Sequence, residues 1–178
     1  MEQKESDKAE PPEPAQPAEP ASPVCYAREA DDAYMGYASR EELVAALNEL
    51  LEAERAGARV TLHSRKDAAD PAMADLLKAI QADESRWCAM LHAQVERLDA
   101  VPSEQCGAFY GKAMAIADPM ERLVFLNRGQ GWVVRKLAAL LPRVRDEALH
   151  ADLQAMHHSH VENIAIAAEL VEKGGAAG

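Results

Sequence analysis

Aromatic residues are scarce, at 4 % of the 178 residues, although a sheet would draw on them together with β-branched side chains. Ala, Leu and Glu are abundant instead, which favours helices. Cysteine is also rare: Cys25, Cys88 and Cys106 are odd in number and share no metal-type spacing. No apolar run reaches the roughly 20 residues that a membrane span needs. No positively charged start is followed by an apolar stretch, so no signal peptide is expected. Positive charge is in deficit, with a net charge of −11, and nucleic-acid phosphates would be repelled. The absences together lead us to expect a soluble protein in a reducing, cytoplasmic setting. The length suffices for one domain with a substantial core.

Residues 1–23 hold six prolines and, beyond Met1, alanine as their main apolar residue, so they are expected to form a disordered tail. Residues 24–38 carry Tyr26, Tyr34 and Tyr37, three of the four tyrosines, and read as an irregular arm packed on the domain. From Ser39 to Lys173 the pattern is that of four long helices. Ser39 with Glu42 forms a capping-box signature for the first, which runs to about His63. Asp70-Pro71 opens the second, to about Asp99, and Asp118-Pro119 the third, to about Leu140. Pro142 ends the third, and the fourth runs to about Lys173 before Gly174 and Gly175. Residues 174–178 read as a flexible tail. The connection 100–117 is longer than antiparallel neighbours need, and it fits a crossover with room for a short helix.

Each long helix interrupts its apolar stripe with polar side chains near mid-length. In the first, Glu54 stands in line with Leu43, Leu47 and Leu50; in the second, Glu84 stands between Ile80 and Leu91. The third offers Asn127 and Gln130, with Gly129 and Gly131 beside them. These glycines suggest a close helix approach or a local bulge, since each costs about 1 kcal/mol relative to Ala inside a helix. The third helix is also basic, with Arg122, Arg128, Arg135 and Lys136, and pairing with the acidic second and fourth helices is expected. The fourth places His157 and His160 on or beside its apolar line of Leu149, Leu153, Met156, Ile164, Ala167 and Val171. A carboxylate buried without a partner is costly, by several kcal/mol on the order of known cases, so these groups must meet one another, a proton or a metal. Two carboxylates and two imidazoles at i, i+3 are acceptable ligands for one Fe, Mn or Zn ion. The same residues can instead satisfy themselves without metal, through Glu–His and Glu–Gln hydrogen bonds. A metal-free reaction with Glu84 as base beside Cys88 has little support, because no cation near Cys88 in sequence would lower its pKa.

Over residues 39–173 the chain resembles the ferritin-like superfamily, and in particular uncharacterised bacterial ferritin-like proteins. The runs CYAREADDAYMGY, LNELLEAERAGARV and FLNRGQGWVVRKL and the histidine-bearing last helix carry the resemblance. It implies an all-α four-helix bundle with a long crossover between the second and third helices. The di-iron members place one Glu on each of two helices and Glu-x-x-His on the other two. Here Glu84 is followed at i+3 by Trp87, the third helix offers amides, and His157 stands where that motif has Glu. Two carboxylates are too few to bridge two irons. The resemblance therefore implies a single metal held by Glu54, Glu84, His157 and His160, or no metal. A metal-free module would act through a protein partner or a homodimer, and neither reading calls for a membrane or nucleic acid.

Overall fold

The structure is a computed structural model that describes residues 35–68 and 70–175. The chain divides into Met1–Ala30, outside the described residues, and Asp31–Gly178, which holds every element below. The expected tail, most of the tyrosine arm and the last three residues therefore lie outside the described residues. The described residues are all-helical, without strands.

Local chemistry sets the helix limits. Helix α1, Arg40–Ser64, starts on a complete capping box: Ser39 Oγ accepts from the Glu42 N–H at 3.2 Å and Glu42 Oε2 from the Ser39 N–H at 2.9 Å. Helix α2, Pro71–Arg97, is capped by Asp70 with Pro at its first turn. Its far end closes where Asp99 takes φ 51°, while the Ala100 N–H donates back to the Val95 carbonyl at 3.2 Å. Helix α3, Phe109–Met114, is the short helix within the connection. Helix α4, Pro119–Leu140, is capped by Asp118 and ends in a 3₁₀ turn at Leu141–Arg143 containing Pro142. Helix α5, Glu147–Gly175, follows, with the Leu149 N–H donating to Asp146 Oδ1 at 2.7 Å.

Helix α1 packs on α2 and α4, α5 packs on α4 and α2, and α3 lies on α1 and α4. The connection before α3 is fastened to α1: Asn48 Oδ1 accepts from the Ser103 N–H at 2.7 Å, and Arg55 donates to the Gln105 carbonyl at 2.6 Å. Two of the basic residues of α4, Arg122 and Lys136, find their partners in and just after α1, not on α2 and α5 as expected. Lys136 pairs with Glu49, and the buried Arg122 pairs with Asp67 at 2.7 Å while donating to the Ile116 carbonyl.

The apolar core is split in two. One cluster gathers Leu47, Leu50 and Leu51 with Leu91, Val95, Leu137, Leu153 and Met156. The other gathers Val60, Leu77, Ile80, Leu123, Leu126 and Ala167. Along each long helix the buried polar residue falls between them: Glu54 after Leu51 and before Val60, Glu84 after Ile80 and before Trp87, Gln130 between Leu126 and Val133, and His160 between Met156 and Ala167. A polar layer thus divides the interior.

Candidate functional site

The layer is almost wholly shielded from water. Glu54 and His160 are each 1 % exposed, and Glu84 and Gln130 each 3 %. His160 Nδ1 lies 3.0 Å from the Met156 carbonyl, which can only accept, so that nitrogen carries the hydrogen. Its Nε2 then faces Glu54 Oε1 at 3.2 Å, and the contact is favourable only with a proton between them. The pair therefore holds one proton. The electrostatics agree: burial raises the Glu54 pKa above the ordinary value despite the imidazole. For His160, burial works against the charge, but the Glu54 carboxylate, the Met156 carbonyl and Asp83 outweigh it and hold its pKa up.

Glu84 has no such partner. Burial, then the charges of Glu54 and Asp83, push its pKa well above the usual carboxylate range. Its carboxyl occupies the space over Gly57, where any Cβ would overlap it. The small Ala56-Gly57-Ala58 run of α1 thus admits the end of a side chain from α2. Among the described residues Gln130 finds no partner for either amide atom, and one oxygen each of Glu54 and Glu84 is unpartnered too. Of the hydrogen bonds that the metal-free alternative allows, Glu54–His160 is present and a Glu–Gln130 bond is not formed among the described residues.

These four residues line a cavity of about 480 Å³, whose remaining wall comes from α1, α3 and α4. Phe109, Phe125, Leu126, Trp132 and Val133 make most of it apolar. Gly129 is what lets Phe109 in: a Cβ there would stand 2.6 Å from the ring, which stacks on Phe125 with centroids 4.9 Å apart. Gly131 meets only ordinary contacts, so the explanation of close approach holds for one glycine of the two.

Of the residues singled out from the sequence, Glu54, Glu84, Gln130 and His160 share this cavity, and His157 and Asn127 do not line it. The buried line of α5 runs Leu149, Leu153, Met156, His160, Asn163 and Ala167. His157, one residue past Met156, is rotated by about 100° from it and is half-buried. Asn127 donates to the Ile164 carbonyl at 3.2 Å. Sequence reasoning missed Asp83, whose Oδ2 accepts from Ser159 Oγ at 2.8 Å and from Asn163 Nδ2 at 3.1 Å. The signal was available in the spacing 156-160-163-167, which places Asn163 rather than Ile164 on the buried line.

Two chemistries can be judged directly. Among the described residues no group of three or more His, Cys, Asp or Glu side chains is arranged to hold a metal ion, and of Glu54, Glu84, His157 and His160 all but His157 border the cavity. Burial, with the nearby Glu54, pushes the Cys88 thiol up to about 12, which leaves it an inert thiol rather than a nucleophile. Among the described residues no helix is long and apolar enough to cross a membrane.

Neither the comparison with curated proteins nor that with solved structures returned a match. A family described as a domain of unknown function, DUF6306, matches residues 41–169, which include all four residues of the polar layer and most of every long helix. The chain belongs to the DUF6306 family.

Proposed function

We propose that this protein binds a small organic molecule in the cavity, its apolar body against Phe109, Phe125 and Val133 and its polar end at the Glu54–Glu84–Gln130–His160 layer. The carrying observation is the combination of about 480 Å³ of mostly apolar space with buried polar atoms that have no partner among the described residues. The volume is of the size that small ligands fill, and the unpartnered groups are those a ligand would satisfy. Methyl-resolved NMR with 1-hexanol and toluene as probes tests this. Shifts are expected at Leu126 and Val133 and not at Leu153, in the other apolar cluster. No shift at either lining residue with any probe would refute the reading.

In the same proposal the domain has the ferritin-like plan, with α1, α2, α4 and α5 as its four helices and the connection through α3 as the crossover. The mutual packing of those four helices and the hydrogen bonds of the connection to α1 support it. A cytoplasmic setting is part of the reading and is consistent with Cys88 and Cys106 both being free.

A second reading is a single Fe, Mn or Zn ion at Glu54, Glu84 and His160. Its support is that the unpartnered oxygens belong to two carboxyl residues that border the same cavity as the His160 imidazole. The absence of a metal-ready group among the described residues speaks against it. Elemental analysis of the protein as isolated decides: a stoichiometric metal that is lost in Glu54→Ala/His160→Ala would establish the ion, and metal-free protein from metal-supplemented growth would remove it.

A further inference from the structure

The polar end of the cavity has a definite hydrogen-bonding character. Glu54 Oε1 is taken by His160, and what remains is Glu54 Oε2, Glu84 Oε2 and the amide of Gln130. The oxygen and nitrogen of an amide can be exchanged by rotation, so Gln130 supplies one acceptor in either orientation. Glu84 holds a proton that an incoming amine can take, which leaves its oxygen as an acceptor. Three acceptors are then open on residues that border one space, beside the Gln130 N–H₂, and no other side chain among the described residues meets them.

The charge balance has the same sense. Glu54, Glu84 and Asp83 act on one another electrostatically, and the imidazole of His160 is the one basic group in the layer. Arg128 also borders the cavity, but it is exposed to solvent. A carboxylate or phosphate entering the layer would meet two carboxyl groups and, among the described residues, no free cation there, because His160 is already paired with Glu54. A cation with several N–H donors would meet what it lacks. The walls suit such a ligand too, since Phe109, Phe125 and Trp132 present aromatic surface that tolerates a neighbouring cation.

Resting on the reading that the cavity holds a small molecule, we infer that its occupant is a primary amine with a compact apolar body. Its ammonium is satisfied by Glu54, Glu84 and Gln130. A primary ammonium carries three N–H donors and no acceptor, which matches the open oxygens of Glu54, Glu84 and Gln130 in number and in polarity and leaves the Gln130 N–H₂ as it is. A bare metal ion would leave the apolar space unfilled, whereas an amine uses both ends of the cavity.

The test compares three probes that share one body and differ only in the head group: hexylammonium, 1-hexanol and hexanoate. Each is titrated into the full chain, with affinity read by calorimetry and location by the methyl resonances of Leu126 and Val133. Hexylammonium is expected to bind at least about tenfold more tightly than 1-hexanol, as charge-assisted hydrogen bonds provide, with hexanoate weakest. In Glu84→Gln the preference for hexylammonium over 1-hexanol is expected to fall by about tenfold. If 1-hexanol or hexanoate matches hexylammonium at the lining methyls, the amine assignment is overturned and the cavity reading survives. If no probe binds there, the cavity reading falls as well. Should the variant not fold, the order of the three probes on the unaltered chain decides alone.

Discussion

Glu84 makes a quantitative statement about pH. In the unfolded chain its carboxyl titrates near the ordinary value of 4.5, whereas in the folded protein burial and the charges of Glu54 and Asp83 raise it well above that. As pH climbs past 4.5 the unfolded chain releases this proton first and the folded protein keeps it. Folding stability therefore falls with rising pH across the window between the two values, with a limiting slope of about 1.4 kcal/mol per pH unit for one proton. Glu84→Gln keeps the shape of the side chain and removes the titration. The variant should match the natural protein near pH 4 and become progressively more stable than it as pH rises towards neutrality. The raised values of Glu54 and His160 give the same direction, because the pair keeps its shared proton in the folded state. The lowered values of Glu42 and Asp146 act oppositely, as stability lost when pH falls. Both proteins share these four groups, so their effects largely cancel in the difference. Urea unfolding of the two proteins from pH 4 to 8 measures it. Parallel stability curves, or a variant less stable at pH 7, would show that Glu84 is not held protonated by its surroundings.

Two further predictions concern the same interior. Gly131→Ala should stabilise the protein by about 1 kcal/mol through helix propensity, because nothing crowds a Cβ there. Gly129→Ala should instead lose about 1–3 kcal/mol from overpacking against Phe109, partly offset by that same gain, and thermal melts that rank the two alike would contradict the stacking geometry. His160→Leu leaves the Glu54 carboxyl buried alone and should cost on the order of 3–5 kcal/mol. Adding Glu54→Leu should recover part of that loss in urea denaturation, and strictly additive effects would mean that the two side chains do not share a proton.

The features legible in the sequence are those whose cause is local. Ser39 with Glu42, Asp70 with Pro71 and Asp118 with Pro119 each carry their capping chemistry within four residues, and the helices begin there. Glu54, Glu84, Gln130 and His160 were visible because a polar residue inside an apolar stripe needs a reason. Position was harder to read where neighbours compete. His157 and His160 are both close to the stripe, and only the packing of Met156 and Asn163 shows which of them faces inward. Asp83, Ser159 and Asn163 look like solvent-facing residues until α2 and α5 are brought together. The role of Gly129 depends on Phe109, twenty residues earlier in the connection, and no periodicity within α4 encodes it.

The division of the core into two apolar clusters has a consequence for how the helices find their alignment. Leucines are interchangeable, and a helix of them can slide along its neighbours by one turn, about 5.4 Å, with little change in burial. A slide of α5 here would carry His160 away from Glu54 and into one of the leucine clusters, leaving two buried polar groups stranded. The same holds for α2, where Glu84 would leave the only space that Gly57 opens for it. The polar layer thus acts as a key that fixes the longitudinal register of the helices, a use for which buried polar groups are well attested.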